Sequence, residues 1–223
     1  MPKNLIIFDI DGTVANSEKQ HTDSINYGFE KTECHEVNRN WNSYAHVTDF
    51  HVYSKIFEVN HKRKATLDDI DHFQYHVIKR LNELPTIEEI PGAVNFIQKV
   101  WDSEKWDLAF ATGSLYETAL KKLGDPGIKY KAGIVIASNR IESREGLIIA
   151  AEEAAKRLFQ VNNYDRILSC GDALWDVKTA KSLNLPLLGV GLDHKDQLLE
   201  AGVKNHIDNW LDLSIDDLDT FLN

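Results

Sequence analysis

Two pairs of aspartates carry the chemical signal of this chain. The first is Asp9-Ile10-Asp11-Gly12-Thr13, directly after the apolar run Asn4-Leu5-Ile6-Ile7-Phe8. If that run is a strand whose extended form persists, side-chain alternation sends Asp9 and Asp11 the same way. Neighbouring carboxylates repel, and burying them is costly unless a cation or a proton compensates. The second pair lies in Gly171-Asp172-Ala173-Leu174-Trp175-Asp176, after the run Arg166 to Cys170. Asp172 stands where a helix N-cap is expected, and Asp176 follows four residues later on the same helical face. An ordinary helix start also favours acidic residues, so the conjunction of the two pairs carries the weight. Four carboxylates converging on one sheet edge call for a hard cation with oxygen ligands. Mg²⁺ fits best, since it takes a few carboxylates, retained waters and a substrate phosphate.

Two further segments bear on an anionic group. Ala111-Thr112-Gly113-Ser114 follows the apolar run ending in Ala111, and a hydroxyl with exposed amides at a helix start can cradle a phosphate. Alone, such a turn is structural as often as not. Arg144, in Ser143-Arg144-Glu145-Gly146, is a cation that can neutralise phosphate and balance the aspartates. Lys129, Lys131 and Arg140 are alternatives for that role.

Positioning these residues requires strands that end near one another. Apolar runs recur at Leu5 to Phe8, Leu108 to Ala111, Gly133 to Ala137, Arg166 to Cys170 and Leu187 to Val190. They are continuous rather than alternating, as in strands covered on both faces. Helical stripes fall between them: Val94, Ile97, Val100 and Trp101, then Ile148, Ala151, Ala155 and Leu158. Alternating strands and helices predict a doubly wound, Rossmann-like α/β fold with a parallel sheet and right-handed crossovers. Ligands in such folds bind beyond the carboxyl ends of the strands, where both aspartate pairs lie. Residues 15–90 break the alternation and read as an all-helical insert. Thr66 and Asp69 mark a helix start, followed by the stripe Ile70, Phe73, Val77, Leu81 and Leu84. Trp41, Tyr44, Thr48, His51, Val52, Lys55 and Val59 form a mixed second stripe. The expected division is a core of residues 1–14 and 91–223 with a helical cap of 15–90.

The chain has 223 residues, 43% hydrophobic and 27% charged, with a formal charge of −10. That charge argues against binding a nucleic-acid backbone or a membrane surface, but not against a small anion beside a local cation. No run has the length of a signal peptide or a membrane span. Cys34 and Cys170 show no zinc-ligand spacing, and Cys170 reads as a small buried hydrophobe. The expectation is a cytoplasmic monomer acting on a small-molecule phosphate ester.

In their order along the chain, these motifs resemble the haloacid dehalogenase (HAD) superfamily, in its phosphatase and phosphomutase branch. The resemblance rests on Asp9 to Thr13, Thr112, Arg144, and Gly171 to Asp176, and it spans nearly the whole chain. Arg144 departs from the pattern, which more often has Lys in a Lys-Pro-x-Pro setting. The resemblance implies Asp9 as the nucleophile that forms an aspartyl-phosphate. It implies Asp11 as the group that protonates the leaving oxygen and then activates water. Mg²⁺ would be held by Asp9, the Asp11 backbone carbonyl and Asp172, with Asp176 on metal waters. Thr112, Gly113 and Arg144 would hold the phosphoryl group. A phosphomutase of the beta-phosphoglucomutase type would use the same core, and a non-catalytic regulatory protein on this fold is a third reading. Substrate choice would fall to the cap, with Tyr44, His51 and Lys55 as expected selectors.

Overall fold

A computed structural model describes residues 3–222. The chain opens with β1 (Asn4–Phe8), in which Leu5, Ile6, Ile7 and Phe8 are fully buried. A two-residue strand β2 (Ala15–Asn16) leads into helix α1 (Glu18–Lys31). A 3-10 turn at Trp41–Ser43, helix α2 (Asp49–His61) and helix α3 (Leu67–Glu83) follow. The chain returns through β3 (Glu88–Glu89), which pairs antiparallel with β2. The outgoing and incoming strands therefore form one short ribbon beside the first aspartate pair.

From there helices and strands alternate: α4 (Ala93–Trp101), β4 (Trp106–Ala111), α5 (Tyr116–Gly124), β5 (Val135–Ile136) and α6 (Arg144–Phe159). They continue with β6 (Ile167–Gly171), α7 (Leu174–Leu183), β7 (Leu187–Val190), α8 (Lys195–Glu200) and β8 (Asn205–Ile207). The six core strands lie in the order β5-β4-β1-β6-β7-β8, all parallel. This is the doubly wound α/β architecture that the apolar runs predict. β1 lies between β4 and β6, so both aspartate pairs leave adjacent strands at the same edge. Among the described residues, no helix is long and apolar enough to cross a membrane.

Several details differ from the sequence expectation. The run Gly133 to Ala137 yields only two strand residues, because Ala132–Ile134 forms a 3-10 turn. Edge strand β8 is short and half-buried throughout, so no apolar run marks it. On α6 the buried residues are Leu147, Ala151, Ala154 and Ala155. Three alanines on one face let that helix approach the sheet closely, leaving Ile148 and Leu158 at the margin.

The inserted helices form a second apolar cluster, with Ile25, Phe29, Val52, Tyr53, Phe57, Ile70, Phe73 and Val77, into which Leu115 of the core also packs. Tyr53 and Phe73 stack with centroids 3.9 Å apart, and Phe29 stacks on Phe73 at 5.4 Å. α3 starts where expected: Thr66 and Asp69 form a reciprocal capping box, and Arg63 grips Asp69 through two bonds of 2.7 and 2.8 Å. The mixed stripe from Trp41 to Val59 is not one helix. Thr48 caps α2, so only its later members share a helical face.

Candidate active site

Asp9 leaves the end of β1 with its carboxylate buried. One oxygen accepts the Ile10 amide at 2.8 Å, and the other accepts from Arg144 Nη1 at 2.9 Å. Gly12 follows with φ +68°, a conformation that favours glycine. A Cβ there would sit 2.3 Å from the Asp172 carboxylate, so the glycine is what admits Asp172 to the site. Asp172 and Asp176 are both buried. The helix cap is Ala173 rather than Asp172, and α7 begins at Leu174. Asp176 bonds back to the Ala173 amide at 3.1 Å, which turns its carboxylate toward Asp9 rather than outward.

Oxygens of Asp9, Asp172 and Asp176 all lie within 4.8 Å of one another. Burial, followed by the neighbouring Asp176 and Asp9, pushes Asp172 well above the usual carboxylate range. Asp176 is pushed up to about 7 by burial and by Asp9, with Arg144 opposing. Burial also raises Asp9, against the pull of Arg144. Three carboxylates crowded with one guanidinium hold more negative charge than the site neutralises. That donor set, all carboxylate oxygen, suits a divalent hard cation.

Asp11 has different company. Its carboxylate lies outside the three-aspartate cluster, accepting from Ser17 Oγ at 2.6 Å and Ser114 Oγ at 2.8 Å. Lys122 Nζ, fully buried, reaches its two oxygens at 2.6 and 2.8 Å. Burial alone would raise Asp11, but Lys122, His21 and the Lys122 and Ser17 hydrogen bonds hold it well below the usual carboxylate range. Lys122 also donates to Ser114 Oγ at 2.7 Å and meets His21 Nδ1 at 3.0 Å. An ammonium has no acceptor, so His21 Nδ1 accepts and its proton sits on Nε2, which faces Asp49 Oδ1 at 3.3 Å. Sequence reasoning missed Lys122, Ser17, Ser114 and His21 as neighbours of Asp11.

Thr112 is buried, and its hydroxyl accepts the Ser114 amide at 3.1 Å, closing the turn. The helix after it starts only at Tyr116. Gly113 lies against the Arg144 guanidinium: a Cβ there would be 2.5 Å from Nη2. Arg144 is the first residue of α6, held by the Val47 carbonyl at 2.9 Å and lying over the Trp175 ring at 5.4 Å. Of the four candidate cations, Arg144 is the one at Asp9. Lys129 and Lys131 lie over Trp101, and Arg140 is exposed.

The segment before α2 is tied to this turn. The Asp49 amide donates to the Gly113 carbonyl at 2.7 Å, Thr48 Oγ1 donates to the Glu142 carbonyl at 2.9 Å, and the Leu115 amide donates to Asp49 at 3.2 Å. A cavity of about 840 Å³ opens between the inserted helices and the aspartates. Asp9, Asp11, Gly113, Ser114 and Arg144 line it on the core side. Tyr44, His51 and Lys55 do not line it: His51 faces Glu142 at 3.4 Å, and Lys55 pairs with Glu58 at the surface. Of the mixed stripe, Trp41, Thr48 and Val52 front the cavity instead, because α2 turns Val52 rather than His51 toward it. Both cysteines are buried and free, and burial drives the Cys170 thiol well up, as suits a packing residue.

The sequence profile of haloacid dehalogenase-like hydrolases matches residues 6–190, and the chain belongs to that family. No curated protein matches it. Solved structures share the fold across their full length. A hydrolase from Pseudomonas syringae superposes with a TM-score of 0.72 at 20% identity, covering 100% of both chains. CbbY from Rhodobacter sphaeroides in complex with phosphate gives 0.71 at 19%, covering 98% of this chain and 100% of that one. A mutant of CbbY in complex with xylulose-(1,5)bisphosphate gives 0.69 at 18%, covering 96% and 97%.

Proposed function

We propose that this hydrolase is a Mg²⁺-dependent phosphomonoesterase working through an aspartyl-phosphate on Asp9. The observation that carries the reading is the meeting of Asp9 with Asp172, Asp176 and Arg144 at one end of a buried sheet. Asp9, Asp172 and Asp176 would hold the cation, and the Asp11 backbone carbonyl is the further ligand the family resemblance implies. When bound, it would offset the charge of carboxylates and phosphate and polarise the phosphoryl oxygens. Asp9 attacks phosphorus in line while Arg144 and the Thr112-Gly113 turn orient the phosphoryl group.

Asp11 manages the proton. At rest that proton is on the Lys122 ammonium, bonded to both Asp11 oxygens. The pair is therefore the donor to the leaving oxygen, and Asp11 as carboxylate is the base for the water that cleaves the intermediate. Residues 15–90 act as the cap, shielding the cavity from water. The same core would serve a phosphomutase, and the resemblance to CbbY is compatible with a phosphorylated sugar-like class of ligand.

The test is phosphate release from a panel of phosphate esters by purified protein. Activity is expected to vanish with a chelator, return with Mg²⁺ and be absent in Asp9→Asn. Full activity after verified metal removal overturns the reading.

A further inference from the structure

Past β5 the chain makes a 3-10 turn at Ser138–Arg140, which brings Ser138 against the Thr112-Gly113-Ser114 turn. Ser138 is fully buried, and both its donors address that turn. Its amide donates to the Ser114 carbonyl at 2.9 Å, and its hydroxyl to the Gly113 carbonyl at 2.7 Å. The hydroxyl in turn accepts the Phe50 amide of α2 at 3.4 Å. A hydroxyl has one proton to give, so its two partners fix which way it points. The Gly113 carbonyl also accepts the Asp49 amide, so core and inserted helices meet on one oxygen.

Peptide units are planar, so a carbonyl held in place aims the amide across the same unit. Holding the Gly113 carbonyl aims the Ser114 amide, which bonds to Thr112 Oγ1. The Thr112 hydroxyl accepts that bond and keeps its own proton for a further acceptor. Holding the Ser114 carbonyl steadies a residue whose hydroxyl donates to Asp11 and accepts from Lys122. On the other side, the α2 segment seated by Asp49 and Phe50 carries the Val47 carbonyl, which accepts from Arg144 Nε. Lysine has no counterpart of Nε on a planar fork. Arginine alone can hold that carbonyl and still face Asp9 and Gly113 with its Nη groups.

We propose that Ser138 is a positioning residue for phosphoryl transfer. It holds the Thr112-Gly113-Ser114 turn directly, and the Arg144 guanidinium through residues 47–50. The proposal rests on the phosphomonoesterase reading for the reaction, but the phosphate affinity it predicts does not depend on turnover. A buried hydroxyl that only satisfied its neighbours would add stability and leave phosphate binding alone. One that orients the cradle changes phosphate affinity and rate, while the carboxylate cluster of Asp9, Asp172 and Asp176 stays as it was.

Three measurements on the full chain test this. They are calorimetric binding of inorganic phosphate in saturating Mg²⁺, calorimetric binding of Mg²⁺ alone, and kcat/KM for the ester of the panel that turns over fastest. In Ser138→Ala, phosphate affinity and kcat/KM are each expected to fall about tenfold, as for the loss of one orienting hydrogen bond. Mg²⁺ affinity is expected to stay within about twofold of wild type, since no carboxylate is touched. Ser138→Cys keeps the volume with a weak donor and is expected to show the same pattern. It decides alone if Ser138→Ala does not fold. Unchanged phosphate affinity and kcat/KM with a lowered Tm overturn the proposal and leave hydrolysis standing. Phosphate and Mg²⁺ affinity falling together overturn it too, as a general loosening of the site. Weakened phosphate binding in Ser138→Ala, with no turnover by the wild-type protein, upholds the positioning of phosphate and overturns the phosphomonoesterase reading. Neither phosphate binding nor turnover in the wild type overturns both.

Discussion

The Lys122 ammonium is wholly excluded from solvent and spends its donors on Asp11, Ser114 and His21. Removing one partner of such a pair strands the other charge, at a cost of about 3–5 kcal/mol. Lys122→Met keeps the length of the side chain and should lower stability by about that amount in urea unfolding. Lys122→Met with Asp11→Asn removes both charges and should recover most of the loss. A double variant whose loss equals the sum of the losses in Lys122→Met and Asp11→Asn alone would mean that Asp11 and Lys122 are not energetically coupled. The meeting of Asp9 with Asp172 and Asp176 was legible because strands of a parallel sheet end at one edge, whereas Asp11, expected beside Asp9, has its carboxylate apart on Lys122. Lys122 was not legible, since Lys121-Lys122 looks like an exposed basic pair. One signal was present: Lys122 shares the inward face of α5 with Thr118, Ala119 and Leu123, while Lys121 turns out to pair with Asp125.

At the scale of elements, two threonine caps with similar local chemistry have different reach. Thr66 caps α3 within the inserted helices, and its partners Asp69 and Arg63 are all local. Thr48 caps α2, accepting the His51 amide at 3.3 Å, and also donates to the Glu142 carbonyl of the core. Losing either cap should cost about 1 kcal/mol. Thr66→Ala should do only that, leaving KM where it was. Thr48→Val should add a several-fold rise in KM, because Thr48 lines the cavity and the adjacent Val47 carbonyl holds Arg144. Equal KM values in the two variants would mean that the Thr48 bridge does not shape the site. The α3 cap could be read from sequence because a capping box is local. The tie between residues 47–49 and the Gly113 turn could not, being made of backbone groups far apart in the chain.

At the scale of the whole molecule, the site sets a charge problem that the fold solves only in part. The sequence showed that acidic residues from β1 and β6 would meet, since the strands of a doubly wound sheet end at one edge. It did not show how strongly their meeting opposes folding without a cation. Asp176 is pushed up to about 7, with Asp172 and Asp9 raised as well, whereas an unfolded aspartate titrates near 3.9. A group whose folded value is raised contributes its stability fully below the unfolded value and loses it as pH rises through the folded one. Metal-free protein should therefore lose thermal stability between about pH 5 and pH 8. Mg²⁺ at about 100 times its dissociation constant adds about 2.7 kcal/mol, or roughly 5–11 °C in Tm for a chain of this size. Its effect should be greatest at the alkaline end, where the carboxylates are ionised. Asp172→Asn should raise the metal-free Tm at pH 8 and abolish most of the Mg²⁺ increment, since it removes a ligand and a repelling charge together. Differential scanning calorimetry across this pH range, with and without Mg²⁺, makes the comparison. A metal-free Tm that rises from pH 5 to pH 8, or an undiminished Mg²⁺ shift in Asp172→Asn, would place the charge balance of the fold elsewhere than in these three aspartates.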